Sequence, residues 1–427
     1  MEDFQIGPLA RLSASHRAYF IHRLYKPIQI DAPLPPGLKI IVVIPCYAEP
    51  HVLATLQSLH ACNAPRGAVE VILVINEPEN AGSDIRQQNQ KTLQEAQQWQ
   101  HSLSATHLNL FILREIFPAR QAGVGLARKI GMDEAAFRLL RAGHDGIIVC
   151  LDADCTVSPN YLTAIEKHFL QPESQAAIIH FEHALDQIQN ARALAGIIQY
   201  EIYLRYYKHA LRYCGYPFYH HTIGSCMAVR SSVYVKSGGM NRKKAGEDFY
   251  FLHKIMPLGG CMALTEATVY PSARVSLRVP FGTGKAMHTW MQSASEELEV
   301  YHPRIFDDLK VFLNLVPQLY KQPYPENILQ QVPHTVAQYL EQCDFMEKLQ
   351  EMDAHSRSPA TFLKRFYFWL DGLRILKIVH YMRDRFYPNI PICIAARQLL
   401  EKLHISCPSS SASDVLEKLR WLDKTDR

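Results

Sequence analysis

Asp152 and Asp154 stand two residues apart in GIIVCLDADCTVSPNYL (146–162), directly behind an apolar run. On an extended chain, side chains i and i+2 project to the same side. Two hard oxygen donors can then converge on one divalent cation such as Mg2+ or Mn2+. A turn that holds two acids fits the same spacing. Glu247 and Asp248 open the stretch EDFYFLHKI, whose Phe251, Leu252 and Ile255 fall at helical spacing. Acids in a first helical turn can take up a proton, or can compensate the dipole and cap free N–H groups. SLRVPFGTGKAMHTW (276–290) sets Gly282 and Gly284, which allow a tight backbone, beside Arg278 and Lys285. Those two cations could clamp a diphosphate. His288 in the same stretch is either a third metal ligand or a packing residue.

The elements that would position these groups are legible. IIVVIP (40–45), VEVILVI (69–75), LNLFIL (108–113) and GIIVCL (146–151) are apolar runs of the kind found in buried parallel strands. Between them lie helical patterns, one from 124 to 141 with Leu126, Ile130, Phe137 and Leu140 inward. Strands alternating with helices predict an α/β fold, a doubly wound, mostly parallel sheet with helices on both faces. In such sheets ligands sit outside the carboxyl ends of the strands, which is where Asp152 and Asp154 fall. Residues 1–37 read as an N-terminal arm ending in a proline-rich linker, 38–295 as the catalytic domain, and 296–427 as a C-terminal helical region.

With 427 residues, 48% hydrophobic and 20% charged, the chain has ordinary globular composition. Lys+Arg 45 against Asp+Glu 41 leaves +4, too small an excess to suggest a nucleic-acid partner. Ten cysteines without a CxxC pair, and no secretory leader, read as reduced thiols of a cytoplasmic protein. No apolar stretch reaches the ~18 residues of a membrane span. The segment 366–381 reads as an amphipathic helix buried against protein, and a peripheral contact with the inner face of a membrane is the lesser reading. The aromatic-dense stretch 200–219 is either a packing stripe or a platform of flat faces for a ligand.

Four pieces resemble, in order, the motifs of family 2 glycosyltransferases. IIVVIPCYAEP is similar to the opening strand and loop, GVGLARKIGMDEA to a glycine-led helix start, LDADCTVSPNYL to the D-x-D strand end, and AGEDFYFLHKI to the E-D helix start. The resemblance covers about residues 38–290 and implies the GT-A fold. It also implies transfer of a sugar from a nucleotide-diphosphate sugar to an acceptor hydroxyl, with Mn2+ or Mg2+. By the same resemblance Pro45, Tyr47 and Glu49 contact the nucleoside, and Arg128 lies near the donor. Asp154, with Asp152, would hold the metal, and Asp248 would be the general base of an inverting reaction, with Glu247 beside it.

The sequence departs from the family after the second strand, where Asn76 and Glu77 replace the usual acid in a Ser/Gly-rich turn. The nucleotide base is therefore open. The Q-x-x-R-W signature of processive synthases is missing after residue 290, so a non-processive enzyme is expected. The acceptor could be a glycan, a lipid-linked sugar or a small molecule. Two alternatives stand beside the transferase: a nucleotide-sugar-binding protein of the same fold without activity, and a nucleotidyltransferase. The second would need a Gly-rich basic loop after the first strand, and PCYAEP is not one.

Overall fold

The computed structural model describes residues 12–103, 107–276, 282–409 and 411–425. Its contacts divide the chain into two units. The first holds the residues up to Ala184 together with Thr222–Lys285, and the second holds Leu185–His221 and Ala286–Thr425. Leu185–His221 therefore groups with the helical unit although it lies within the first part of the sequence.

The strands of the first unit are β1 (Leu38–Cys46), β2 (Ala68–Pro78), β3 (Leu108–Phe117), β4 (Ile147–Cys150), β5 (Thr156–Val157), β6 (Ala176–Phe181), β7 (Met227–Arg230) and β8 (Cys261–Tyr270). They form one eight-stranded sheet in the order β3-β2-β1-β4-β7-β6-β8-β5. The expected parallel core is present: β1 runs parallel to β2 and β4, and β2 to β3. The other half is mixed, since β7 is antiparallel to both β4 and β6 while β6 and β8 are parallel. Ile41, Val42, Val43 and Ile44 are all fully buried, so both faces of β1 are covered. Pro45 belongs to this strand, beyond its last pairing with β4 at Val43↔Cys150, where the missing N–H leaves no β4 partner unsatisfied.

The helices of this unit are α1 (Ala14–His22), α2 (Val52–His60), α3 (Ser83–Ser102), α4 (Val124–Arg141), α5 (Tyr161–His168), α6 (Ser231–Lys236) and α7 (Glu247–Ile255). The span of α4 is the one its apolar spacing predicts, and it packs along β1 and β2. It is buried nearly all round, so its polar side chains need internal partners. Arg138 forks onto Glu70 with two hydrogen bonds of 2.6 Å. Asp133 accepts from Tyr19 and Tyr234, each at 2.6 Å, and pairs with Lys129 at 2.9 Å. Glu134 accepts the backbone N–H of Gln29 at 2.6 Å, and Arg138 donates to the carbonyl of Ala32 at 2.9 Å. The N-terminal arm is thus packed into this unit through α1 and the segment behind it, which a reading of prolines as a plain linker does not convey.

The second unit is helical around a core that includes Tyr206, Phe306, Phe312, Phe366, Ile378 and Leu416. The segment 366–381 falls in two helices, Pro359–Trp369 and Gly372–Arg385, rather than one. Asp371 separates them and caps the second by accepting from the N–H of Arg374 at 2.8 Å. Phe366, Ile375, Ile378, Val379 and Met382 turn inward. Within the aromatic stretch 200–219, two tyrosines are packing residues: Tyr206 donates to the carbonyl of Tyr301 at 2.7 Å and Tyr216 to that of Leu370 at 3.1 Å. Among the described residues no helix is long and apolar enough to cross a membrane.

Candidate active site

The carboxyl end of β4 and the start of α7 meet around one guanidinium. Arg128, one turn into α4, donates through Nη2 to Asp152 Oδ1 at 2.5 Å and through Nη1 to Glu247 Oε1. Its side chain is 2% exposed, whereas Asp152 is 40% exposed. One buried cation therefore joins the D-x-D strand end to the E-D helix start and leaves Asp152 open on its outer side. Glycine makes this approach feasible twice. A Cβ on Gly224 would stand 2.5 Å from Arg128 Nη1, and one on Gly125 would stand 2.1 Å from the carbonyl of Lys243. Both distances are below any real contact, so only glycine lets the backbone come this close.

Burial pushes the Glu247 carboxyl up to about 7 even though Arg128 pulls it down. Burial likewise raises Asp248, against the opposing pull of Arg128 and of hydrogen bonds from the backbone of Phe249 and Gly224. The N–H of Phe249 donates to Asp248 Oδ1 at 2.7 Å, which fixes that carboxylate at the helix start. Two adjacent acids raised above their ordinary values by burial are stronger bases than exposed carboxylates, as a proton acceptor requires. The side chains differ in commitment. Glu247 is tied to Arg128, and Asp248 is bonded through one oxygen to its neighbour's backbone.

A second cation lies on the other side of the acidic strand end. Arg274, in the segment after β8, donates to both oxygens of Glu49, through Nη1 at 2.8 Å and through Nη2. The same Nη2 reaches Asp154 Oδ2 at 3.3 Å. Glu49 is buried in the loop after β1 and also accepts the N–H of His51 at 2.9 Å. That loop is pinned by Asn89 of α3, which accepts from the N–H of Ala48 and donates to the carbonyl of Asn76 and to Glu77. Asn76 is buried and donates to the carbonyl of Cys46 at 2.9 Å. It therefore braces the ends of β1 and β2 together. Tyr47 is partly exposed beside it.

The first unit thus brings together Glu49, Arg128, Asp152, Asp154, Glu247 and Asp248 of the residues picked from sequence. Arg128 and Lys129 are both buried, not on an exposed helix face, and Lys129 is turned to Asp133 and Tyr19. Lys285 is exposed, in the first turn of the helix Thr283–Gln292. His288, on the same helix, belongs to the second unit. Arg278 lies outside the described residues. Sequence reasoning passed over Arg274. Its signal was present, a lone arginine three residues after Pro271 and just past the last core strand, but nothing in that spacing points to Glu49.

A divalent cation fits the donor set. Asp152 and Asp154 each keep exposed carboxylate surface, 40% and 32% respectively. Among the described residues no three His, Cys, Asp or Glu side chains gather into a ready cage. Ions that work on phosphates are commonly held by one or two carboxylates, with substrate oxygens and water completing the shell, and this arrangement has that character.

The family model described as Glycosyltransferase like family 2 matches residues 35–302. No curated protein matches the chain. Among solved structures, residues 1–349 of TarS from S. aureus, in complex with UDP-GlcNAc, align at 12% identity. They cover 78% of this chain and 92% of that one, with a TM-score of 0.40. The mannosyltransferase PcManGT from Pyrobaculum calidifontis, in complex with GDP-Man and Mn2+, aligns at 15% identity over 92% and 98%, with a TM-score of 0.37. Glucosyl-3-phosphoglycerate synthase from Mycobacterium tuberculosis, in complex with Mn2+, UDP and glucosyl-3-phosphoglycerate, aligns at 14% identity over 62% and 85%, with a TM-score of 0.33.

Proposed function

The chain belongs to the glycosyltransferase-like family 2, and from that premise we propose that it moves a sugar from a nucleotide-diphosphate sugar to an acceptor hydroxyl with inversion at the anomeric carbon. The observation that carries this reading is the Arg128 bridge, which sets the donor-side acid Asp152 and the helix-start pair Glu247–Asp248 around one cation. Membership in the family leaves no place for the nucleotidyltransferase alternative.

In the reaction the acceptor oxygen forms a bond to the anomeric carbon while that carbon's bond to the diphosphate oxygen breaks. The diphosphate leaves with the electron pair, and the hydroxyl proton passes to a carboxylate. Asp248 takes this proton. It is held at the helix start by the N–H of Phe249, and burial raises its pKa above the ordinary carboxylate value, which makes it a stronger base. Glu247, locked to Arg128, positions the helix start. Asp154, with the open side of Asp152, would hold Mn2+ or Mg2+, which supplies Lewis-acid charge to the leaving diphosphate when bound. Pro45, Tyr47 and Glu49 line the nucleoside side, with Asn76 fixing the loop geometry. Arg278 and Lys285 keep the diphosphate-clamping role that their charges and the glycines beside them suggest.

The acceptor belongs to the glycans, lipid-linked sugars or small hydroxyl compounds. The ten free cysteines suit a reducing compartment such as the cytoplasm. The test is to incubate the purified protein with UDP- and GDP-sugars, with Mn2+, Mg2+ or a chelator, and to follow release of the nucleoside diphosphate. Metal-dependent release that acceptors accelerate is expected. Equal release in the chelator would discard the metal, and none with any donor would discard the transferase reading.

A further inference from the structure

Arg274 places a positive charge where a divalent cation would have to approach. Its guanidinium is bidentate on Glu49 and extends one Nη2 to Asp154, so it neutralises the acid best placed to bind metal. The geometry is anchored and yet able to yield. Glu49 is 3% exposed at its side chain and Arg274 25%, while the contact to Asp154, at 3.3 Å, is the looser one. A doubly charged ion at Asp154 would face this cation within a few ångströms, and like charges at that range repel strongly when partly shielded from water. A diphosphate brings several oxygens of the opposite sign, and an arginine fork matches phosphate as well as it matches a carboxylate.

We propose that Arg274 is an internal competitor of the divalent metal at Asp154, and that it moves onto the donor's diphosphate when the nucleotide binds. This rests on the reading of Asp154 as a metal-binding acid. The free protein then holds metal weakly, because metal must displace or tolerate the guanidinium. Once a diphosphate engages Arg274, the acid is released and metal affinity rises. By linkage the metal raises nucleotide affinity by the same factor. Metal and nucleotide are thereby made to bind as a pair, which keeps a cation from occupying the site without a leaving group to neutralise.

The experiment titrates MnCl2 into the full chain and follows the loss of the free Mn2+ electron paramagnetic resonance signal, alone and with saturating UDP or GDP. Three proteins are compared: the parent, Arg274→Gln and Arg274→Lys. For the parent, weak Mn2+ binding that strengthens at least tenfold with one of the nucleotides is expected. Arg274→Gln should bind Mn2+ about tenfold more tightly than the parent without nucleotide, and should lose most of the coupling. Arg274→Lys keeps the charge and should keep the weak metal binding, which separates electrostatic competition from a general change of shape. If Arg274→Gln binds Mn2+ alone no better than the parent while nucleotide still strengthens binding in both, the competition is overturned and the metal reading stands. If no protein binds Mn2+ with either nucleotide, the metal reading and this inference fall together. An Arg274→Lys variant that binds metal as tightly as Arg274→Gln would also overturn the competition.

Discussion

Arg128 and Glu247, 119 residues apart in the chain, form a buried ion pair. The pair is internal to the candidate site, so it couples the stability of the fold to the proton state of the acids proposed for the chemistry.

Arg128→Met should leave Glu247 without its cation, and breaking a buried pair from one side costs about 3–5 kcal/mol. The pH dependence follows from the sign of the shift. Glu247 titrates at about 7 in the folded chain, above its ordinary 4.5. A carboxyl with a raised folded pKa contributes its stability in full below the unfolded value and loses it as pH rises through the folded one. Losing Arg128 raises that pKa further, so the deficit of the variant should be larger at pH 8 than at pH 5.5. Thermal melts of parent and variant at both pH values measure it. A deficit that does not change with pH would mean that Glu247 is not the group left uncompensated.

Asp248→Asn keeps the shape of the proposed base and removes its basicity. The transfer rate at saturating donor should fall by ~10²- to 10⁴-fold, with donor affinity close to that of the parent. Single-turnover rates and a separate nucleotide titration check the two halves. A variant within a few-fold of the parent rate would shift the role of base to Glu247.

The pH–rate profile should carry the signature of the raised pair. A base must be deprotonated to act, so kcat/KM should fall as pH drops, with its acid limb above the ordinary carboxylate value. Two adjacent acids titrate as a unit, so the limb reports the pair rather than one residue. An acid limb near 4 would mean that neither acid in its buried state is the base.

Gly224→Ala tests the packing of the bridge by sterics alone. The added methyl would lie 2.5 Å from Arg128 Nη1, so the guanidinium must shift away from Asp152 and Glu247. Over-packing of this kind costs about 1–3 kcal/mol. Chemical denaturation should show that loss, with a fall in transfer rate larger than any fall in nucleotide affinity. Parent-like stability and rate would show that the backbone at Gly224 can move aside freely.

The parallel strands were readable because β1 and β2 are buried on both faces, and such strands are apolar at consecutive positions rather than alternate ones. The helix Val124–Arg141 was readable in extent, but its burial was not, since Lys129, Asp133 and Arg138 look like an exposed polar face until Tyr19, Tyr234 and Glu70 arrive from elsewhere. Long-range partners of this kind leave no local trace. The same holds for Arg274, whose meeting with Glu49 depends on a chain return of 225 residues. The acids Asp152, Asp154, Glu247 and Asp248 were legible because each sits at the end or start of an element. What the spacing could not convey is that one arginine ties two of them together.

The matched family region begins at residue 35, but the fold begins earlier. Tyr19, Lys26, Gln29 and the carbonyl of Ala32 serve Asp133, Glu115, Glu134 and Arg138, and the side chains of Asp133, Glu115 and Arg138 are almost wholly buried. A protein trimmed to the recognised region would keep every acid of the site and yet strip hydrogen-bond partners from the helix that carries Arg128. The arm behaves as a keystone placed outside the arch it holds, and domain surgery guided by motif boundaries alone would remove it first.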